Sequence, residues 1–515
     1  MKFKILAIVL LVFAVELSAL PYSGGSGTSG DPWQISTTDD LIDLSNTSAD
    51  WNNHFILTAN IAFDANEQNV DWDGDGSADW DAQDQLGFSP IGNNSIKFTG
   101  SFDGQGYEIS NLFINRSTLY VGFFGYIRVA SIINLGLTDF EISGYLYSGG
   151  LSGSIAYSTI TNCYTSGGID GYVYTGGFAG AISYTTINNS SNSADVAGTG
   201  SYAAGFIGHN AESIINRCFN SGDVTSSGDY ASGFFGANHA STVSNSYSTG
   251  DVTRSAGTGT NFSAFSSLTS SSTIENSYTT GSVTYDNSTD PIDKGFVIDI
   301  YGNNTFTNNF FDSEAGGQTS GTGATVKTTS EMKTVLTFSD ETTVGLTTAW
   351  DFVNNPFDDA ANNDYWTINN VDNNGYPALV WQGFDMAVAP TVTTSTITNI
   401  TNTTADSGGD VTDDGGADIS TLGVVWSTTS TPALTSNEDG HTSDTPGVGA
   451  FVSNINGLSP NQIYYARAYA TNSFGTVYGN EVSFATIPTL GEWGLIALGS
   501  LTAMLGGWFV YRRFV

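Results

Sequence analysis

The sequence predicts an all-β protein: a β-solenoid (β-helix) of about 28-residue coils, then a β-sandwich, then a C-terminal transmembrane helix. Three observations carry this. Units of Gly-aromatic-x-Gly type begin at Gly122, Gly150, Gly177, Gly205 and Gly233, in steps of 28, 27, 28 and 28, with a degenerate copy at Ala264. Each unit has three apolar anchors nine residues apart, separated by Gly, Ser, Thr and Asn, which suits three short strands and no helix. From about Ala387 the repeat stops, and alternating runs such as LGVVWS (422–427) and YYARAYA (464–470) take over.

Composition agrees with a packed, repetitive chain. Of 515 residues only 12% are charged and 13% are aromatic, which excludes disorder driven by charge. The 50 acidic and 13 basic side chains give a net charge of -37, so a phosphate backbone would be repelled and no nucleic acid partner is expected.

Both termini carry targeting features. Lys2 and Lys4 precede an apolar run at 5–15, and the small residues Ser18 and Ala19 follow, the layout of a signal peptide over 1–19. Residues 493–511 are uncharged, enough for about 28 Å of helix, and Arg512 and Arg513 follow. The positive-inside rule places that end in the cytoplasm, so 493–511 can span the inner membrane and the body, from about residue 20 to 486, is exported.

Within the repeat, the first anchor column is Phe123, Leu151, Phe178, Phe206, Phe234 and Phe265, and the second is Ile132, Ile160, Ile187, Ile215, Val243 and Ile274. The third is Glu141, Ile169, Val196, Val224, Val252 and Val283. Asn134, Asn162, Asn189, Asn245 and Asn276 share one position, with Arg217 the exception, and predict either an amide ladder along the axis or a left-handed turn preference. Tyr147, Tyr174, Tyr202 and Tyr230 recur three residues before the repeat glycine; on an uninterrupted strand they point inward, the alternative being an outward platform for sugars. Cys163 and Cys218 lie two coils apart, about 9.6 Å, too far for a disulfide.

Solenoid ends expose strand edges and need caps. Thr37 or Thr38 is expected to N-cap a helix carrying Asp39, Asp40, Leu41 and Leu44, and Ser330, Glu331 and Met332 to start another, with Trp350, Trp366 and Trp381 supplying bulk. The expected organisation is a signal peptide (1–19), an N-terminal cap and first coils with an acidic insertion (20–97), the solenoid (98–312), its C-terminal cap (313–386), the sandwich (387–486) and a tail with the apolar stretch (487–515).

Little in the chain points to catalysis. The four histidines, His54, His209, His239 and His441, include no pair at zinc-ligand spacing. The acidic insertion is the one metal candidate: Asp71, Asp73 and Asp75 alternate as oxygen donors, Gly76 allows a sharp turn and Asp79 holds the ninth position of a calcium loop. Position twelve is Ala82, so Asp81 or Asp84 has to close the site; the alternative is a solvated acidic turn.

Three resemblances add to this reading. The units GGLSG (149–153) and GGFAG (176–180), with YSGGSGTSGDPWQISTTDDLIDL (22–44), FTGSFDGQGYEISNLFI (98–114) and WTINNVDNNGYPALVWQ (366–382), resemble GLUG-motif repeat proteins. That resemblance implies a surface or secreted β-solenoid, often adhesin-like, with an unspecified extracellular glycan or protein as ligand. The segment 457–486 resembles a bacterial fibronectin type III-like module, which implies a spacer. IPTLGEWG (487–494), followed by the apolar stretch and two arginines, resembles the IPTL type of C-terminal sorting signal, which implies a dedicated sorting and processing enzyme. The expectation is an exported, non-catalytic surface or matrix protein; the alternative is a polysaccharide lyase or hydrolase on a β-helix scaffold.

Overall fold

The computed structural model describes residues 22–63, 86–286, 288–353, 364–369, 372–384, 388–489 and 491. It divides into two compact units between Val326 and Lys327. The acidic insertion with Asp71, Asp73, Asp75, Asp79 and Asp81 lies outside the described residues, as do the signal peptide and the apolar stretch 493–511.

In the first unit, parallel strands stack coil upon coil. One face is a ten-stranded sheet running from Trp33–Ile35 through Thr159–Thr161 to Thr305–Thr307. The second anchor column lies at its centre: Ile160 pairs with Ile132 and Ile187, and the series continues through Ile215, Val243 and Ile274, all fully buried. Phe178, Phe206, Phe234 and Phe265 of the first anchor column, continued by Phe296, stack their rings at 4.5–5.0 Å, close to the interstrand spacing.

The coils have four or five short strands where the sequence predicted three. The coil around Gly150 runs through Tyr147–Gly149, Ser152–Ala156, Thr159–Thr161 and Tyr164–Gly171. Leu151 sits in the break between the first two, pointing into the core, and so does its column. A second departure is local. The expected third-column residue Glu141 is exposed; a bulge between Leu137 and Phe140 shifts the register, and Ile142 pairs with Ile169 in its place.

Two left-handed corners per coil turn the chain. The first is Val129, Tyr157, Tyr184, Glu212, Ala240 and Ser271, with φ between 49° and 54°. Hydroxyls just after this corner accept backbone N–H groups from the preceding coil: Ser158 Oγ from Ala130 (3.1 Å), Ser213 Oγ from Thr185 (3.2 Å) and Ser241 Oγ from Ser213 (3.1 Å). Each of these donors would otherwise be an orphan at a bend.

The second corner is the asparagine column, with φ between 47° and 56° from Asn134 to Asn276, Arg217 included. Both of its expected roles are present. Asn162 Nδ2 donates to Asn134 Oδ1 (3.0 Å), Asn189 to Asn162 (3.2 Å) and Asn308 to Asn276 (3.1 Å). At Arg217 the ladder sidesteps, and Asn245 donates to Asn216 Oδ1 instead (3.2 Å). Asn162→Gly keeps the turn and loses the rung, and is expected to cost about 1 kcal/mol. Asn162→Ala loses both and should cost about 1–2 kcal/mol more, read as two urea midpoints.

The N-terminal cap follows the expected pattern. Helix α1 (Thr38–Asn46) is capped by Thr37, whose side chain accepts the Asp40 N–H (3.1 Å) while Asp40 accepts the Thr37 N–H (3.1 Å). Leu41 and Leu44 join Ile35 and Phe55 in the core.

Cys163 and Cys218 are free and fully buried, with Ser190 in the coil between them. Burial pushes both thiols up to about 12, so neither is a nucleophile at neutral pH. Alkylation of the folded protein at pH 8 should add no mass, and two adducts should appear after unfolding without reductant.

In the second unit, helix α2 (Thr329–Met332) is capped by Thr328. Phe338, Trp350 and Trp366 pack ring on ring at 4.6 and 4.7 Å, whereas Trp381 stays partly exposed. Residues 391–485 form two antiparallel sheets, one containing Thr404–Asp413 and the other Thr421–Ser427 and Ile463–Asn472. Ala405 and Ile455 from one sheet meet Val424, Tyr464 and Ala466 from the other, the core of a sandwich. The Tyr464 hydroxyl accepts the Ser459 N–H (2.9 Å), so this tyrosine locks a corner.

Candidate functional site

The feature most suited to outside contact is a tyrosine ladder. Tyr120, Tyr147, Tyr174, Tyr202 and Tyr230 stack in sequence at 5.1, 5.1, 5.3 and 4.9 Å, with interplanar angles of 10–21°. They lie on the outer face, against the inward expectation. The strand breaks after Gly149, so inward residues are Ser148 and Leu151, three apart, and Tyr147 falls on the opposite side from both. All five tyrosines are half-buried.

Geometry limits what this ladder can do. Rings stacked along the axis hide their faces from one another, so edges and hydroxyls are what the middle rungs present. Burial first, then the neighbouring phenols, push the Tyr120 and Tyr147 hydroxyls above the usual range, which keeps them protonated donors. Shorter outward stacks flank the ladder. Tyr145 and Tyr172 lie 5.2 Å apart, and Tyr157 and Tyr184 lie 4.7 Å apart with the Arg128 guanidinium 5.0 Å over Tyr157.

A second candidate is an acidic groove of about 660 Å³ that includes Glu141, Asp170, Asp195 and Asp223. Its carboxylates also serve the fold: Asp195 accepts the Asp223 N–H (2.9 Å) and Asp223 accepts the Asp251 N–H (2.8 Å). Desolvation first, with Asp251 and Asp195 adding repulsion, pushes the Asp223 carboxyl up. Among the described residues no group of three His, Cys, Asp or Glu side chains is placed to hold a metal ion. His54 bonds Ser101 (2.7 Å) and His441 bonds Glu438 (3.0 Å), each through Nδ1.

A stacked solenoid with its aromatic rows turned outward, ending in a sorting sequence, defines an exported surface β-solenoid protein. The tail is the more specific element: residues 485–513 match the IPTL-CTERM motif, the signal read by a C-terminal sorting and processing enzyme. The chain is also 36% identical over 148 residues to Halomucin of Haloquadratum walsbyi, across 28% of this chain and 2% of that protein. It is 31% identical over 140 residues to a protein described as a Gly-rich membrane protein of Evansella cellulosilytica, across 26% of this chain and 14% of the relative. The chain thus spans only a small part of the length of either relative. A sensor domain of the anti-sigma factor RsgI4 of Pseudobacteroides cellulosolvens, 18% identical over 19% of this chain and 96% of its own, overlays with a TM-score of 0.16, too low to carry an argument.

Proposed function

We infer that this chain is a non-catalytic, adhesin-like solenoid displayed at the cell surface or in the extracellular matrix. In this reading it carries GLUG-type coils and a fibronectin type III-like spacer, and its C-terminal stretch 493–511 anchors it in the inner membrane until the tail is processed. The observation that carries the reading is the outward tyrosine ladder on a stack of coils with a surface-sorting signal behind it. A rigid row of half-buried phenols lowers the entropy lost on contact, as tyrosine does in other recognition surfaces. Retention on immobilised polysaccharides and matrix proteins tests this: the reading expects binding that falls when Tyr147 and Tyr174 are replaced by Ala, and binding unchanged by those replacements would contradict it.

The acidic groove favours a second reading, polysaccharide cleavage, since close carboxylates can serve as acid and base. New chain ends released from soluble uronate polymers, and lost in Asp195→Asn, would establish it. The calcium loop of Asp71, Asp73, Asp75, Asp79 and Asp81 rests on spacing alone. Calcium-dependent stabilisation that disappears in Asp73→Ala plus Asp75→Ala would support it, and equal melting with calcium and with chelator would remove it.

A further inference from the structure

The tyrosine ladder has a first rung, and among the described residues no strand of its sheet lies beyond it. The six-stranded sheet that carries the ladder ends at Tyr120–Val121. The neighbouring seven-stranded sheet ends at Phe124–Arg128 but is continued one level further by bridges from Ile91 to Phe124 and from Phe98 to Ile127. One sheet therefore stops a level before the other. The step leaves an open cleft of about 450 Å³, whose walls include Ser89, Asn93, Asn94, Thr118 and Tyr120.

In this cleft the ladder offers what its middle rungs cannot. Tyr120 stacks on Tyr147 on one side, among the described residues no further strand of its sheet lies on the other, and Tyr120 lines the cleft. Tyr126 leans against it at 47°, with ring centroids 4.9 Å apart. Around the cleft stand amides, hydroxyls and one cation, Arg116, whose guanidinium donates to the carbonyl oxygens of Phe88 (3.2 Å) and Gly87 (2.6 Å). Asn93 Oδ1 is taken by the N–H groups of Ser95 (2.9 Å) and Ile96 (3.0 Å), which sets the side chain and leaves its NH₂ as a donor. Asn94 and Thr118 are exposed. Lys97 Nζ donates to the Asn94 carbonyl oxygen and lies 5.4 Å from the Tyr126 ring, so the loop over the cleft is pinned.

An aromatic ring beside short neutral donors and acceptors, with the one guanidinium bonded to backbone carbonyls, matches the two surfaces of a pyranose, its axial C–H face and its equatorial hydroxyls. We propose that the cleft at Tyr120 is a binding site for a neutral saccharide unit, with the sugar stacked on the Tyr120 ring and held by Asn93 and Asn94. This deepens the surface-contact reading by naming a ligand class, and it rests on that reading.

The test uses the purified full chain with cellohexaose, maltohexaose and chitohexaose as probes, read by saturation-transfer NMR and titration. At least one probe should bind through its ring C–H protons, and binding should weaken about fivefold to tenfold in Tyr120→Ala. Asn94→Ala, an exposed change that leaves the ladder intact, should weaken it as well, whereas Tyr230→Ala at the far end should not. Binding to none of the three probes, or binding unaffected by both Tyr120→Ala and Asn94→Ala, overturns the site. Surface display of the same variants is followed in parallel: normal display with lost sugar binding confirms the site, while a chain that never reaches the surface fails the underlying reading instead.

Discussion

Phe206→Ala is expected to destabilise the solenoid by about 3–5 kcal/mol, the cost of a large cavity in a close-packed core. The Phe206 ring is fully buried between Phe178 (4.9 Å) and Phe234 (4.8 Å). Neither neighbour can move in without leaving its own coil, because each coil is fixed to the next by backbone ladders on several faces. In a stacked repeat, stability is a sum of coil and interface terms, and this ring contributes to two interfaces at once. Urea unfolding should show the midpoint falling and the transition broadening as the coils on either side uncouple. Thr225→Ala, at an exposed position in the same coil, should stay within about 0.5 kcal/mol of the parent.

Gly177→Val is the second large effect. A Cβ at Gly177 would lie 2.2 Å from the Gly205 carbonyl oxygen of the next coil and 2.2 Å from Asn192 Nδ2. The oxygen is backbone, and the amide is fixed by bonds to Asn220 Oδ1 (2.8 Å) and the Ala194 carbonyl (2.9 Å), so neither can yield. Overpacking of this kind costs about 1–3 kcal/mol before the additional valine methyls are counted. Gly205 repeats the clash one coil on, at 2.2 Å from Asn220 Nδ2 and 2.4 Å from the Gly233 oxygen, which is why the repeat keeps glycine there. Gly168→Ala makes the contrast: a Cβ there meets nothing within 4 Å, and the melting temperature should hold or rise.

Which parts of this fold could be read from sequence follows from what a repeat exposes. The phenylalanine and isoleucine columns were legible because identical side chains recur at one spacing, and stacking like on like is what the coils do. The Asn column was legible for a similar reason, amides being both rung and turn former. The inward reading of the tyrosines failed at one break: Gly150 and Leu151 continue the apolar pattern of a strand, yet the chain bends there and reverses the parity before it. The first corner left no trace in its own residues, since Val129, Tyr157 and Glu212 seldom adopt a left-handed conformation. Its only signal is the Ser or Thr that follows it, Ser158, Thr185, Ser213 and Ser241, whose hydroxyls satisfy the bend. The cleft at Tyr120 was invisible for a different reason, because it arises from two sheets ending at different levels and no local pattern records that.

The central claim is that this solenoid works outside the cell after its sorting tail has been read. Protease shaving of intact cells, followed by mass spectrometry of the released and shed protein, tests it most directly. The account predicts solenoid peptides from the surface, an N-terminus beyond about residue 19 and a mature C-terminus near Pro488. Recovery of the chain only from lysed cells, with the segment from Trp493 to Val515 still attached, would contradict it.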